Sequence, residues 1–359
     1  MGKKAVSKLF YFISIALTFA LAGFTLTGAF AANMLPDKHF IIPFLGLALP
    51  ILLLLNVALV IYWSIRWRFW MIVPLIAILG NWGYLSRIFQ FSFSSEKPQQ
   101  ETLKIATYNV DSFGNEQTGF SCKEIASFMK EQKVDIICFQ EFGHNPYFTQ
   151  DSIKQVLANW GYQIIPQSPD SLPILQIALF SKYPVVDSKL ITYPNSNNCS
   201  MWCDIDVNGR RIRVFNNHLQ TTEVSQNKRN LEKEIQQENT PGQEKAALRM
   251  LDGLRDNFIK RAAQAESLQK LINATPYSVL VCGDFNSLPS SYTYHTVKGN
   301  KLNDGFQTCG HGYMYTFRYF KRLLRIDYIL HSNDLKGVDY YSPPLDYSDH
   351  NPVIMELGI

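Results

Sequence analysis

Residues 278–286 read SVLVCGDFN, a stretch that decides which fold the rest of the chain has to complete. Its first half is a short apolar run rich in β-branched residues, which is typical of a buried strand. Its second half turns polar at once, with Asp284 and Asn286 following directly on the strand. Reactive side chains displayed at strand ends are how α/β scaffolds build a crevice for chemistry, so this stretch predicts an α/β fold.

Seven further apolar runs have the same strand character, and polar residues stand at their ends as well. The runs are LKIATYNV (103–110), VDIICFQEF (134–142), IALFSKYPV (177–185), MWCDIDV (201–207), RIRVFNNHL (211–219), RIDYILH (325–331) and PVIMEL (352–357). Their polar residues are Asn109, Glu141, Asn216, His218, Asp327, Asp349 and His350, which we expect at the C-terminal ends of the runs or just after them. A single strand-end Asn or Asp is more often a turn former or a helix cap than a functional group. A whole set at one kind of position favours a common site.

Three stretches between these runs are predicted to be helices: Cys122–Gln132, Asp151–Asn159 and Lys245–Ala274. The longest carries apolar residues at spacings of three and four, the pattern of a helix that packs one face against a sheet. The charged stretch Thr222–Glu244, rich in Gln and Asn, is expected to be an exposed insertion beside the site. Strands that alternate with helices in this way predict a layered α/β domain over residues 103–359.

Six short motifs carry the polar residues in a recognisable order. They are TYNV, FQEF, NNHL, GDFN, RIDYIL and SDHNPV. In that order they resemble the endonuclease/exonuclease/phosphatase superfamily, which includes pancreatic-type deoxyribonucleases, abasic-site endonucleases, inositol-polyphosphate phosphatases and neutral sphingomyelinases. SKYPV (181–185) and the R-x-x-Q-A pattern of Arg261, Gln264 and Ala265 are similar to smaller motifs of that family. Gln176-Ile177 departs from it, since many members carry a glycine there.

The resemblance covers residues 103–359 and none of residues 1–100. It implies a four-layer α/β sandwich, in which two mixed β-sheets pack face to face between outer helices. It also implies a hydrolase that cleaves phosphoester bonds with a divalent metal ion. Zinc is not favoured by the residues themselves, because no set of Cys and His has the usual ligand spacing.

The site residues follow from the same motifs. Glu141, Asp349 and Asn109 supply hard oxygen donors, the kind of set that holds Mg²⁺, or Mn²⁺ in its place. The resemblance assigns Asp284 and Asn286 to the attacking water, Asp327 to the orientation of His350, and His218 to a phosphate oxygen. Asn216 and Arg261 are expected to contact the substrate. Whether Asp284 or His350 is the general base stays open.

The N-terminal hundred residues have a different composition. They carry 8 Lys and Arg against 2 Asp and Glu, whereas residues 101–359 carry 26 against 28. Three stretches of roughly 20 apolar residues, about 9–30, 40–63 and 71–89, are each long enough to cross a bilayer. We therefore predict an α-helical transmembrane region over residues 1–89, a polar linker over 90–102, and the α/β domain over 103–359. The first stretch has a rival interpretation as a signal peptide cleaved after Ala31.

Basic residues predict the orientation in the membrane. Lys3, Lys4 and Lys8 precede the first stretch, and Arg66 and Arg68 lie between the second and third, so both segments belong on the cytoplasmic side. The prediction is a multi-pass protein of the inner or plasma membrane with its α/β domain on the extracytoplasmic side. This holds with or without cleavage at Ala31.

Three functions are compatible with the sequence. The first is a membrane-anchored phosphoesterase whose substrate is lipid-derived or a small molecule. The second is an outward-facing DNA or RNA endonuclease, for which Arg318, Lys321, Arg322 and Arg325 form the one basic cluster, although the slight net negative charge of the domain does not favour it. The third is a non-catalytic scaffold, against which the retained ionisable residues argue. Among the six cysteines, Cys122, Cys199, Cys203 and Cys309 are disulfide candidates if the compartment is oxidising.

Overall fold

The computed structural model describes residues 3–91, 101–168, 174–222 and 240–359. Most of the predicted linker and most of the charged stretch 222–244 lie outside the described residues. The chain divides into two compact units. One comprises the residues up to Ile88 together with Ser287–His295, and the other comprises Phe89–Asn286 together with Thr296–Ile359.

The first unit is helical. Its helices are α1 (Lys3–Gly28), α2 (Ile41–Ile65), α3 (Ile72–Gly80) and α4 (Trp82–Leu85), with 3₁₀ turns at Ala29–Asn33 and Phe69–Met71. Two apolar helical stretches, Ser7–Asn33 and Ile41–Ile65, are long enough to cross a membrane, whereas the third, Phe69–Gly80, is shorter. The expectation of one continuous third helix over 71–89 is therefore wrong. The helix breaks at Gly80 and Asn81, because both residue types disfavour a helix interior.

Buried polar side chains join the helices of this unit. Trp63 Nε1 of α2 donates to Thr18 Oγ1 of α1 at 2.9 Å, and Asn56 Nδ2 donates to Thr25 Oγ1 at 2.7 Å. Asn81 Nδ2, at the break after α3, donates to the carbonyl of the same Thr25 at 3.2 Å. Such interhelical hydrogen bonds are typical of helices that pack in an apolar environment, where no water is available as an alternative partner.

The second unit contains two six-stranded mixed sheets. The first has the order β13-β14-β2-β3-β5-β4 and the second β10-β12-β9-β8-β7-β6. The strands are β2 (Thr102–Asn109), β3 (Ile136–Gln140), β4 (Tyr162–Ile164), β5 (Ala178–Ser181), β6 (Val185–Thr192), β7 (Cys199–Val207), β8 (Arg210–His218), β9 (Ser278–Asp284), β10 (Leu302–Asp304), β12 (Asp327–Ser332), β13 (Lys336–Tyr341) and β14 (Val353–Gly358). A separate two-stranded sheet pairs β1 (Phe89–Gln90) with β11 (Gly312–Tyr313).

Strand direction brings one edge of both sheets together as the candidate site. The parallel pairs β2/β3 and β8/β9 place four C-terminal ends there. β12 runs antiparallel to β9, with Asp327 opposite Asp284, and β14 runs antiparallel to β2, with Val353 opposite Thr107. The expectation that every site residue follows its strand is therefore wrong for Asp327, Asp349 and His350. Asp327 begins β12, and the other two precede β14, because antiparallel strands reach the same edge with their starts.

The hydrophobic core lies between the two sheets. Ile105, Ile136 and Leu179 of the first sheet pack in one buried cluster with Val214 and Leu280 of the second. A second cluster covers the outer face of the first sheet with α5 (Phe120–Glu131) and α6 (Gln150–Val156). The remaining helices are α7 (Thr240–Ala274), α8 (Tyr292–Lys298) and α9 (Gly305–Cys309). Two mixed sheets flanked by helices confirm the predicted fold class.

All six cysteines are free, and every one except Cys309 is buried. Burial raises the pKa of the Cys122 and Cys199 thiols to about 12, so neither is readily ionised. The structure therefore does not bear out Cys122, Cys199, Cys203 and Cys309 as disulfide partners. Three of these four side chains belong to the apolar core and act there as small hydrophobic residues.

A fully buried ion pair ties the sequence just before β12 to the end of β10. The Arg325 guanidinium donates to both carboxylate oxygens of Asp304, at 2.8 and 2.6 Å, and neither side chain is exposed. Breaking such a pair leaves an uncompensated charge in the interior, which is strongly destabilising.

We expect Asp304→Asn to lower the free energy of unfolding by about 3–5 kcal/mol, because it strands the buried Arg325 cation. The matched control is Asp151→Asn, which removes an exposed pair with Lys154 and should cost less than about 1 kcal/mol. Urea unfolding of the full chain in detergent, followed by near-ultraviolet circular dichroism, measures both. Equal losses for the two variants would contradict the importance of the buried pair.

Candidate functional site

The predicted site residues from both sheets meet at the shared edge. Asn109 is the last residue of β2, and Glu141 follows β3 directly. His218 and Asp284, the last residues of β8 and β9, stand opposite each other in the ladder. The two sheets therefore contribute different parts of one site, and neither sheet holds it alone.

His350 lies within 4 Å of three carboxylates, those of Asp327, Asp284 and, at 3.9 Å from Nε2, Asp349. Its Nδ1 lies 2.9 Å from Asp327 Oδ2, and its Nε2 lies 3.8 Å from Asp284 Oδ2. Burial lowers the pKa of His350, but the charges of Asp327 and Asp284 outweigh burial and raise it to about 10. The imidazole is therefore cationic in this arrangement, and Asp327 fixes its orientation.

Asp284 is buried at the centre of the site. Its Oδ1 accepts from the Asn286 backbone at 2.7 Å, and its Oδ2 accepts from the side-chain amides of Asn109 and Asn286, both at 3.2 Å. Burial first, and the charge of Asp327 second, raise the pKa of Asp284 to about 7. A carboxylate with this pKa can accept or release a proton near neutrality.

Two residues of the site have a strained backbone, which is consistent with a functional role. Glu141 and Asn286 both adopt a left-handed backbone with φ of 49°, which is unfavourable for side chains other than glycine. Gly283 has φ of 132°, and a Cβ there would lie 2.0 Å from the Asn217 carbonyl. Only glycine fits this position, so β9 can reach Asp284 with this backbone conformation only because residue 283 is glycine.

A further group of three carboxylates, which we call the outer carboxylates, includes Glu141 and Asp349, both predicted from the sequence. The third is Asp111, whose pKa is raised to about 6 by burial and then by the charges of Asp349 and Glu141. Burial and the charge of Glu141 also raise the pKa of Asp349. The signal for Asp111 was its position two residues after Asn109, where its backbone amide donates to Asn109 Oδ1.

This donor set fits a divalent cation. Such an ion relieves the mutual repulsion of carboxylate ligands. Asn109 adds a neutral amide, which donates to Glu141 Oε1 at 2.9 Å. Among the described residues, Asp284, Asp327 and His350 also bring one potential ligand atom each within 4.8 Å of one another. In that trio the His350 and Asp284 atoms already have protein partners, so the outer carboxylates are the better donors.

His218 is fully buried and its two ring nitrogens lack a hydrogen-bond partner in the described part of the chain. Its Nε2 lies 3.5 Å from Glu141 Oε1 and 3.9 Å from Asp284 Oδ2. Burial lowers the pKa of His218, so its imidazole is neutral. A buried N–H without a partner costs free energy, and here it faces the carboxylates of the site.

Asn216 and Arg261, which are expected to contact the substrate, are both buried, and their described hydrogen bonds are made within the protein. Asn216 donates to the carbonyls of Phe139 and Ala178, each at 3.0 Å, and accepts from Gln140 Nε2 at 2.7 Å. These three hydrogen bonds join β8 to β3 and β5 of the other sheet. Arg261 is buried in α7, where its Nη1 donates to the Gln220 carbonyl at 2.6 Å.

The predicted basic cluster is also divided by the structure. Arg325 is buried against Asp304. Arg318 donates to the carbonyls of Leu345 and Ser348 and pairs with Asp346. It therefore braces the segment that leads to Asp349. Lys321 and Arg322 are the members of the cluster that remain exposed.

Comparison with known proteins shows the family to which the α/β part of the chain is similar. A family model described as "Endonuclease/Exonuclease/phosphatase family" matches residues 106–350. A second model, described as a domain of unknown function (DUF8431), matches residues 7–88. No curated protein matches the sequence.

Solved structures share the fold of the second unit. An endonuclease/exonuclease/phosphatase from Bacteroides vulgatus is 18% identical with a TM-score of 0.52, and covers 72% of this chain and 100% of that chain. Truncated Caenorhabditis elegans TDP2 is 16% identical with a TM-score of 0.51, covering 72% and 98%. The human Nocturnin catalytic domain with bound sulfate is 17% identical with a TM-score of 0.50, covering 74% and 99%. At these identities the likeness concerns the fold.

We expect Asn216→Ala to destabilise the protein by at least about 2 kcal/mol, because it removes the buried hydrogen bonds to two carbonyls and the one from the Gln140 amide. The KM of the residual activity should stay unchanged, since these hydrogen bonds engage the Asn216 side chain within the protein. Thermal unfolding and substrate titration of the full chain measure the two effects. A raised KM with unchanged stability would restore Asn216 as a substrate contact.

Proposed function

Because this chain belongs to the endonuclease/exonuclease/phosphatase family, whose members are hydrolases acting on phosphoester bonds, we propose that it is a membrane-anchored, Mg²⁺-dependent phosphoesterase. Its substrate is a phosphodiester or phosphomonoester, cleaved by attack of water. The observation that carries the proposal is the convergence of His218, Asp284 and His350 with the outer carboxylates at one edge of both sheets.

Each residue has a role that its surroundings support. Asp284 orients the attacking water, and Asn286 supports it through two hydrogen bonds to the Asp284 carboxylate. Asp284, whose pKa lies near neutrality, is suited to accept the proton of that water, whereas His350 could do so only after losing the proton that makes it cationic. Asp327 positions His350 through the 2.9 Å contact to Nδ1. His218 is neutral and buried, so its free N–H is suited to a non-bridging phosphate oxygen.

Glu141, Asp349 and Asn109 are the residues that would hold Mg²⁺, with Asp111 beside them. The bound ion supplies Lewis-acid stabilisation of the negative charge that develops on the phosphate. The oxygen-only chemistry of this set suits Mg²⁺ or Mn²⁺ rather than zinc.

The scaffold alternative has less support than catalysis. A scaffold has no use for a buried imidazole without partners, or for Asp111 with its pKa raised by burial and by the charges of Asp349 and Glu141. The nuclease alternative is weakened because Arg318 and Arg325 are engaged within the protein, leaving Lys321 and Arg322 for a polyanion.

The helices support the proposed orientation in the membrane. Trp70 Nε1 donates to Tyr11 of α1 at 3.0 Å, and Asn81 donates to Thr25 of α1. The third apolar segment therefore runs beside α1 in the same direction over about 21 Å, given a rise of 1.5 Å per residue. A third segment that runs in this direction, with Arg66 and Arg68 on the cytoplasmic side, would lead the chain towards the extracytoplasmic side.

Purified full-length protein in detergent should hydrolyse bis(4-nitrophenyl) phosphate in the presence of Mg²⁺. We expect Glu141→Gln to raise the Mg²⁺ concentration for half-maximal activity by more than about tenfold, since a charged ligand is lost. Asp327→Asn should instead lower kcat by about 100-fold or more at an unchanged Mg²⁺ requirement, since it acts on His350. Rate against Mg²⁺ concentration separates the two.

Asp284→Asn serves as the inactive reference, and Asp151→Asn, on the surface of α6, serves as the unperturbed one. Circular dichroism checks that each variant is folded. An unchanged Mg²⁺ requirement in folded Glu141→Gln, or wild-type turnover in folded Asp284→Asn, would refute the site assignment. Running DNA, RNA, sphingomyelin and inositol phosphates in the same assay identifies the substrate class.

The proposed orientation predicts that a reporter fused after Ile359 lies outside the cytoplasm. In a bacterial host, alkaline phosphatase should be active there, because it folds only after export. Protease added to spheroplasts should degrade the second unit, which carries the site. A fusion that works only as a cytoplasmic reporter, with the unit protected from protease, would reverse the topology.

A further inference from the structure

Five exposed aromatic residues of the second unit form a surface that the proposed chemistry does not use. We name it the aromatic rim: Phe89, Phe91, Tyr313, Tyr319 and Phe320. Phe91 is 74% exposed and Tyr319 is 61% exposed. Contiguous apolar surface on a soluble face marks a place of contact with a partner or a membrane.

Direct contacts hold the rim together. Phe89 stands opposite Tyr313 in the two-stranded sheet, and its ring lies 4.7 Å from that of Phe91. The Tyr313 hydroxyl donates to the Arg322 carbonyl at 2.8 Å. The segment after Ile88 and the loop around residue 320 therefore form one surface.

The rim reaches the catalytic residues through one ring. The Phe317 centroid lies 5.6 Å from that of Tyr319 and 6.3 Å from that of Phe320. On its other side, the Phe317 centroid lies 5.0 Å from the imidazole of His350. The exposed aromatic surface is thus continuous with the edge of the site.

Two exposed cations, Lys321 and Arg322, lie in the same loop. The Arg322 guanidinium lies 5.7 Å from the Tyr315 ring centroid, so it sits among the aromatic residues. Tyr and Phe side chains mixed with Lys and Arg are suited to the headgroup layer of a membrane, where rings enter the interface and cations meet anionic phosphates.

We propose that the aromatic rim docks on an anionic phospholipid surface, so that the site receives a phosphoester presented at that surface. This inference rests on the proposed membrane-anchored phosphoesterase. Chain connectivity supports it, because Phe89 is the residue directly after Ile88, where the apolar N-terminal segment ends. Single-stranded nucleic acid is the weaker occupant, since a strand requires a longer row of free cations than Lys321 and Arg322 provide.

A fluorophore on the rim tests the docking in the full-length protein. Cys309, the one cysteine that is not fully buried, is replaced in a Cys309→Ser background. Phe320→Cys then carries an environment-sensitive label, and Tyr147→Cys, an exposed aromatic position in the loop before α6, carries it in the control. Both proteins are placed in nanodiscs of phosphatidylcholine alone and of phosphatidylcholine mixed with phosphatidylglycerol.

The label at 320 should shift to the blue and become accessible to a lipid-borne quencher in the phosphatidylglycerol discs, whereas the label at 147 should not. Adding Lys321→Gln should weaken the preference for the anionic lipid by about fivefold, because one cation near an anionic membrane surface strengthens binding by about that factor. Equal behaviour of the two labels in both lipids would overturn the proposal. So would a response at 320 to single-stranded DNA that exceeds the response to anionic lipid.

Activity distinguishes this inference from the function on which it rests. Tyr319→Ser with Phe320→Ser should slow hydrolysis of a phosphoester carried in phosphatidylglycerol vesicles, while leaving turnover of soluble bis(4-nitrophenyl) phosphate unchanged. Loss of both activities to the same degree would contradict the rim. Absence of Mg²⁺-dependent hydrolysis in the unmodified protein would refute the proposed phosphoesterase instead, whatever the label at 320 reports.

Discussion

The carboxamide of Asn216 holds the two sheets in register directly beneath the site. It links β8 to the carbonyls of Phe139 and Ala178 and to Gln140 in the opposite sheet. Everything at the edge depends on that register, because Glu141 comes from one sheet while His218 and Asp284 come from the other. An apolar interface alone would let the sheets slide, whereas buried hydrogen bonds must be made in one arrangement.

The charges of the site are arranged in two zones. Inside, Asp327 and Asp284 surround His350 and keep it cationic, so that the negative charge there is partly neutralised by the protein itself. Outside, Asp349 and Glu141 raise the pKa of Asp111, Glu141 also raises the pKa of Asp349, and the three carboxylates have no cation within the set. A divalent ion would complete the outer zone, and the neutral, unpartnered imidazole of His218 lies between the two zones.

Basic residues that are neighbours in the sequence have different tasks in the fold. Arg325 forms an ion pair with Asp304 in the core, and Arg318 donates to the segment that leads to Asp349. Lys321 and Arg322, in the same short stretch, remain exposed beside Tyr319 and Phe320. The net charge of a stretch therefore says little about the field it presents, because burial removes some of its cations from the surface.

From the sequence alone one could predict the fold class, most of the strands that reach the site, and most of the residues that meet at the shared edge of the two sheets. Apolar runs and the polar residues that follow them depend only on neighbouring residues, so they can be recognised in the sequence without the fold. The sequence did not reveal that Asp327, Asp349 and His350 lie at strand starts, that Asn216 joins the two sheets and Arg261 Nη1 donates to Gln220, or that Asp111 joins the carboxylates. The tertiary structure decided these points, because strand direction, the packing of one sheet on another and the partner of each buried polar atom depend on residues far apart in the chain.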